Sequence, residues 1–341
     1  MAYRKSCDVF YFLTVIYLIA DFFSIFVTQN QSIYHFMKTF QISDTNITSS
    51  NIIMGCMRLN NLSVPEARRL IHTAFDSGIN FFDHADIYGE GECETIFAEA
   101  IQMNAHMREK MIIQSKCGIC DGFYDSSKRH ILLSVDNILA RLKTDYLDIL
   151  LIHRPDTLME PMEIAEAFDM LQKSGKVRNF GVSNYNPVQI NLLQKYIQQK
   201  LIVNQLQLSV VHTPMIDSGM AVNMHIDQAI YREGSILEFC RLNEITIQAW
   251  SPFQKGFIEG PFFDDPKYAA LHKAIHRMAD KYGVTDTTIA VAWITRHPAN
   301  IQVVVGTTQP KRLIDCCKGS ELPLTRKEWY EIYQAAGNML P

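Results

Sequence analysis

From residue 50 onward the chain alternates between two hydrophobic rhythms. Short runs rich in β-branched and aromatic residues recur: IIMGCM (52–57), NFFDHAD (80–86), MIIQSK (111–116), LDILLIH (147–153), VRNFGVS (177–183), VNQLQLS (203–209), TIQAWS (246–251) and IQVVVG (301–306). Each has the length and the largely apolar character of a strand buried on both faces. Between the runs, apolar residues return at the 3.6-residue period of an amphipathic helix. The first such window is well punctuated: Ser63-Val-Pro-Glu66 reads as a capping box, Ala67, Leu70, Ile71, Ala74 and Phe75 form one stripe, and Gly78 marks the stop. Similar windows span 90–104, 126–143, 161–174, 187–197, 227–243 and 286–297.

Strands separated by helices pair in parallel, because only a crossover returns the chain in the same direction. Eight of them close into a (β/α)8 TIM barrel, and the other solution is an open doubly wound sheet. No G-x-G-x-x-G follows any of the runs, which favours the barrel. No low-complexity linker divides 37–341, so the sequence predicts one barrel over that span.

The first 36 residues follow a different pattern. Arg4 and Lys5 precede VFYFLTVIYLIA (9–20), then Asp21, then FFSIFV (22–27), which resembles the core of a signal-anchor. Asp21 interrupts that core at a cost of roughly 2.5–3.5 kcal/mol on insertion scales, and no small-x-small cleavage site follows. Residues 1–36 are therefore expected to be a hydrophobic extension, either signal-anchor-like or a mis-assigned start ahead of Met37. The expected location is cytoplasmic, with tethering to a membrane through 9–27 as the alternative.

Composition narrows the function. With 48% hydrophobic and 20% charged residues the chain has ample core material, which excludes intrinsic disorder. A net charge of −4 supplies no electrostatic footprint for nucleic acid. Eight cysteines without repeating pairs fit a reducing compartment, and the lone Cys117-Gly-Ile-Cys120 lacks the second pair a zinc site needs.

In a barrel of this kind chemistry sits at the C-terminal ends of the strands. Asp83 lies in the second strand, Tyr88 in the loop after it, Lys116 ends the third and His153 the fourth. Asp83 and Lys116 need each other, since either charge alone is costly to bury. A Lys beside Tyr88 is expected to lower a phenol pKa that starts near 10 and make it a proton donor, with His153 either orienting a substrate carbonyl or sharing the proton. The bland alternative is a buried bridge with a rim histidine. Metal binding by Asp83-His84-Ala85-Asp86 is disfavoured, because strand alternation sends 83 and 85 one way and 84 and 86 the other. His212 and the Met-rich loop MIDSGMAVNMH (215–225) either line a substrate pocket or cap the barrel, and Trp293 and Trp329 read as packing.

Seven segments in order, DHADIYGEGECE (83–94), IIQSKCG (112–118), YLDILLIHRPD (146–156), SGKVRNFGVSN (174–184), VNQLQLS (203–209), AWSPF (249–253) and VVGTTQPKRL (304–313), resemble the aldo-keto reductases, in detail their YdhF-like bacterial branch. The resemblance covers 50–340 and implies a barrel that uses NADP(H) to reduce aldehydes or ketones. By position it assigns Asp83, Tyr88, Lys116 and His153 to the catalytic tetrad. It assigns Ser183, Asn184 and Gln205 to the nicotinamide carboxamide, Trp250 to stacking on the nicotinamide, and Ser251, Pro252 and Phe253 to the pyrophosphate loop. Met57 and Arg58 match backbone positions near the cofactor. Arg312 matches the clamp on the adenosine phosphate, with Thr307 and Thr308 supplying hydroxyls.

Two departures from the pattern bear on cofactor choice. Gly306 stands where many members carry Lys, and Cys316 where an Asn often contacts adenine, so NADPH is expected with weaker discrimination against NADH. The implied partner is a small-molecule carbonyl substrate, with no nucleic acid, and with membrane contact only if residues 1–36 are an anchor. The alternative function is a cofactor-sensing or regulatory partner-binding barrel with secondary turnover, and a metal-dependent barrel hydrolase is a distant third.

Overall fold

The computed structural model describes residues 37–339, apart from 223, 228–229, 231–233 and 257–258. The readings made for residues 1–36, and part of the helix window 227–243, lie outside the described residues. The described chain opens with an antiparallel hairpin, β1 (Thr39–Gln41) and β2 (Thr48–Ser50). The eight predicted strands follow as β3 (Ile52–Gly55), β4 (Phe81–Asp83), β5 (Ile112–Cys117), then, after a small hairpin β6 (Ile119–Cys120) and β7 (Phe123–Tyr124), β8 (Leu147–Ile152), β9 (Val177–Ser183), β10 (Leu201–Gln207), β11 (Thr246–Trp250) and β12 (Gln302–Val305).

β3, β4, β5, β8, β9, β10, β11 and β12 form a closed parallel barrel. The closure is the pairing of last strand with first, Val303 beside Ile52 and Val305 beside Met54. An open sheet is thereby excluded. Inward-facing Ile53, Phe81, Ile112, Ile149, Leu151 and Val203 pack as one buried cluster inside the barrel, while the outward faces of the strands pack against the helices in a larger one.

The helix Val64–Asp76 shows how local sequence sets these elements. Glu66 Oε2 accepts from the Ser63 backbone N–H at 2.9 Å, tying off a donor that the first turn leaves free. Ala67, Leu70, Ile71 and Ala74 are buried on one face, and Gly78 takes the left-handed φ of +84° that ends the element without steric cost. The window 90–104 resolves into Glu92–Ile101 and a single turn Ala105–Arg108. Of the window 227–243, helix is described only over Ile236–Leu242. Helices Ala269–Tyr282, Pro310–Lys318 and Arg326–Ala335 lie outside the expected windows, and so does Pro214–Met220, where the sequence reads as a loop and Pro214 instead opens a short helix. Trp293 and Trp329 do pack: their rings stack at 4.7 Å, and each indole N–H donates to the other residue's carbonyl, at 3.0 and 2.9 Å. Among the described residues no helix is long and apolar enough to cross a membrane.

Candidate active site

Asp83 ends β4 and Lys116 lies near the end of β5, both facing the barrel interior. The Lys116 ammonium is fully buried and has three partners: the Asp83 carboxylate at 2.8 Å, the His84 carbonyl at 2.7 Å and the Tyr88 hydroxyl at 3.1 Å. An ammonium has three protons, so its donor capacity is filled. Tyr88 reaches this point from a tight loop in which Gly89 and Gly91 adopt left-handed φ of +56° and +92°. The left-handed φ at Gly91 is what asks for glycine there, since the nearest neighbour of an added Cβ is the outer part of the flexible Arg141 side chain. The His153 ring lies edge-on to Tyr88, with centroids 6.1 Å apart.

The electrostatics differ from the sequence expectation at one point. Burial pushes the Tyr88 phenol above its usual value of 10, and this outweighs the Lys116 charge that pulls it down. The phenol is thus held protonated through the neutral range, where a net lowering had been expected. Burial pulls the Lys116 amine down, but Asp83 and Tyr88 together leave it above 10.5. Burial, with help from Lys116 and Arg154, holds the His153 imidazole well below 6.5, so it is neutral at pH 7.

These groups open onto a cavity of about 710 Å³. Asp83, Tyr88 and His153 line it, as does every cofactor position named from the resemblance except Thr308. Trp250 donates its indole N–H to Asn184 Oδ1 at 3.2 Å, Asn184 donates to Ser183 Oγ at 2.8 Å, and Ser183 donates to the Gln205 carbonyl at 2.9 Å. Thr307 and the exposed Arg312 also line the cavity. Arg58 lines the cavity, and its guanidinium donates to the Gly306 carbonyl at 2.8 Å. A cation therefore stands beside the very position where the sequence lacks one. Cys316 is fully buried and presents nothing to a ligand.

A second cavity, of about 500 Å³, shares Arg154, Asn184 and Trp250 with the first. Its wall is polar, with Asn186, Gln189, Gln207 and His212, and the Gln207 amide nitrogen is buried there without a hydrogen-bond partner among the described residues. Met215 lines it too. The strand β4 ends at Asp83, so the alternation expected over 83–86 does not extend past it; Asp83 faces the barrel interior, while the His84 ring packs edge-on against Phe97 at 4.6 Å. Among the described residues no group of three His, Cys, Asp or Glu is placed to hold a metal ion.

Sequence reasoning missed Gln114, Gln248 and Gln302, which are buried inside the barrel and hydrogen-bonded in series with Asp83. The available signal was a glutamine in the middle of strand runs otherwise rich in β-branched residues, where a long amide is out of place.

Comparison with known proteins agrees with this geometry. The family model described as "Aldo/keto reductase family" matches residues 51–336. The uncharacterized oxidoreductase YcsN of Bacillus subtilis is 35% identical over 312 residues, 88% of this chain and 98% of that protein. The oxidoreductase YdhF of Escherichia coli is 35% identical over 298 residues, covering 84% and 93%. A 6-dehydroglucose reductase of Novosphingobium aromaticivorans is 33% identical over 311 residues, covering 88% and 96%. Among solved structures, a thermostable aldo-keto reductase in complex with the inhibitor epalrestat superposes with a TM-score of 0.69 at 22% identity, covering 88% of this chain and all of that one, a likeness of fold. A closed eight-stranded barrel, a family match along nearly its whole length and relatives of matching length lead to one conclusion: the chain belongs to the aldo/keto reductase family of oxidoreductases and is similar to its YdhF-like branch.

Proposed function

We propose that the protein is an NADP(H)-dependent reductase that converts an aldehyde or ketone to an alcohol, with Tyr88 as the proton donor. The observation that carries this reading is the 3.1 Å contact between the Lys116 ammonium and the Tyr88 hydroxyl at the wall of the large cavity. The residues present suit a nicotinamide dinucleotide. Trp250, fixed through Asn184, offers a flat face for a nicotinamide ring, and Ser183, Asn184 and Gln205 offer both donors and acceptors to its carboxamide. Arg58 and Arg312 offer two guanidinium forks to phosphate, which supports NADPH over NADH despite Gly306.

When bound, the cofactor supplies the hydride. The protein's part is to hold the carbonyl oxygen near the Tyr88 hydroxyl, keep that hydroxyl protonated and stabilise the phenolate left after it donates. Lys116 does the last through its fixed charge, and Asp83 keeps Lys116 in place. His153, neutral at pH 7, is available as a hydrogen-bonding group beside the carbonyl without adding a competing charge. A buried phenol with a raised pKa is a weaker acid, so the Lys116 charge matters most at the moment the proton leaves.

The polar second cavity supports a substrate that carries hydroxyl groups. Arg154, Gln207 and His212 offer hydrogen bonds within reach of the point where the two cavities meet at Trp250. Two relatives are named 6-dehydroglucose reductase, which fits an oxidised sugar as the substrate class. All seven described cysteines are unpaired, consistent with a reducing, cytoplasmic setting. A panel of sugar aldehydes, dicarbonyls and simple apolar aldehydes, followed by NADPH absorbance, tests the reading. Higher kcat/KM for hydroxylated carbonyls is the expected result, and no NADPH-dependent reduction of any of them overturns it in favour of a sensing or partner-binding role.

A further inference from the structure

Gln114, Gln205, Gln248 and Gln302 occupy inward-facing positions of β5, β10, β11 and β12, none more than 3% exposed. Strand register makes them neighbours: Asp83 stands beside Gln114, Gln205 beside Gln248, and Gln248 beside Gln302. Gln114 Nε2 donates to Asp83 Oδ1 at 2.7 Å and to Gln248 Oε1 at 2.8 Å. Gln205 Nε2 donates to the same two oxygens, each at 3.1 Å. Gln248 Nε2 donates to Gln302 Oε1 at 3.1 Å, and Gln302 Nε2 donates to Ser49 Oγ and the Ser50 carbonyl, each at 2.9 Å. A continuous chain of amides thus runs down the barrel from Asp83 to the hairpin that closes its floor.

The direction of every bond in the chain follows from its ends. The Asp83 carboxylate and the Ser50 carbonyl accept only, so each terminal amide must turn its nitrogen toward them. The second proton on Gln114 and on Gln205 then needs an acceptor, which fixes Gln248 with its oxygen up and its nitrogen down. Flipping any one amide leaves two donors or two acceptors facing each other. The arrangement also carries a defect: Gln114 Oε1 is buried with no hydrogen-bond partner among the described residues. A barrel interior is ordinarily filled by branched aliphatic side chains, and a buried acceptor left unsatisfied is unfavourable. Stability alone does not account for these residues.

We propose that Gln114, Gln248 and Gln302, together with Gln205, form a positioning relay that holds the Asp83 carboxylate as an acceptor and in the orientation in which it grips Lys116. Proton delivery at Tyr88 then depends on residues as far away as the barrel floor. This rests on the reductase reading above. The relay acts through charge as well as geometry. Two amide donors take up part of the Asp83 negative charge. Without them more of that charge falls on Lys116, the field of Lys116 at Tyr88 weakens, and the phenol becomes harder to ionise. Asp83 already acts on Tyr88 in that direction.

The test uses Gln114→Met, Gln248→Met and Gln302→Met in the full chain, since methionine keeps the length and apolar stem while removing the amide. Turnover with a reducible aldehyde, NADPH Kd, Tm and the ionisation of Tyr88 are measured for each, the last as tyrosinate absorbance relative to the same protein carrying Tyr88→Phe. The relay predicts kcat reduced by about 10-fold or more in Gln114→Met and Gln248→Met, and less in Gln302→Met, with Kd unchanged within about twofold. It predicts kcat losses that do not scale with the changes in Tm across the three variants, and a Tyr88 titration moved to higher pH. Parent-like kcat and titration, or kcat losses that follow Tm instead of distance from Asp83, would overturn it. Failure of the parent itself to reduce any carbonyl would count against the reductase reading alone, because the Tyr88 titration still decides whether the relay exists.

Discussion

The Arg58 guanidinium donates to the Gly306 carbonyl at 2.8 Å, joining the loop after the first barrel strand to the loop after the last. These strands are neighbours only because the barrel closes. A side chain from residue 58 thereby reaches the place where position 306 offers no side chain, so the missing cation of the sequence is supplied from the other end of the fold.

That relationship predicts how cofactor preference divides. Arg312→Leu and Arg58→Leu should each weaken NADPH binding by about 1.5–3 kcal/mol, the range for a hydrogen bond to a charged group, with NADH affinity nearly unchanged. Fluorescence titration of both variants with both cofactors checks this. Equal losses for the two cofactors would assign the arginines to shape instead of phosphate recognition.

The Tyr88 hydroxyl is the proton donor of the proposed reaction, so Tyr88→Phe should lower kcat by roughly 10²–10⁴ while NADPH still binds. Steady-state rates alongside direct cofactor titration separate the two effects, and activity within about twofold of the parent would remove Tyr88 from the chemistry.

Lys116→Met should be as damaging to turnover and, unlike Tyr88→Phe, should also destabilise the fold. It strands the Asp83 carboxylate in the barrel, and breaking a buried pair costs about 3–5 kcal/mol. Denaturant unfolding of both variants distinguishes them: a stability loss confined to Lys116→Met is the expected pattern, and an equal loss in both is the contrary one.

His84 predicts a pH dependence of stability. Its ring is fully buried, both nitrogens lack partners among the described residues, and burial pulls its pKa from 6.5 down to about 3. The unfolded chain therefore takes up a proton first as pH falls. Stability contributed by the neutral ring is complete above pH 6.5 and declines from there toward about 3. At pH 4.5 the loss from this one group is on the order of 2–3 kcal/mol. His84→Leu should flatten the decline between pH 7 and 4.5 by that amount, measured by urea unfolding, and an unchanged slope would show that the ring is not responsible.

A chain beginning at Met37 should fold and turn over at least as well as the full chain. Every catalytic and cofactor position proposed here follows it, and the barrel closes on strands that all follow it. The segment VFYFLTVIYLIA is strongly apolar in sequence, so the shorter chain should also be the more soluble. Expression and gel filtration of both forms check this, and failure of the shorter chain to fold would give residues 1–36 a structural role.

The strands, their order and the barrel were legible in the sequence because buried parallel strands leave a local signature: short apolar runs bounded by turns and alternating with amphipathic helices. All eight appear within a few residues of their expected limits, and Val177–Ser183 at both of them. The pairing of Asp83 with Lys116 was likewise legible, since two opposite charges in neighbouring buried strands have no other stable arrangement. Tertiary structure alone decided the rest. The net rise of the Tyr88 pKa reflects how deeply the ring is enclosed, a balance of desolvation against charge that no spacing encodes. The reach of Arg58 to Gly306 depends on barrel closure. The glutamine chain depends on strand register and on closure, which bring together across the barrel residues 134 positions apart, as in the bond from Gln114 to Gln248, and 253 apart, as in the bond from Gln302 to Ser49. Local periodicity carries the face a residue takes, but its neighbours across the barrel are fixed by the closure of the sheet.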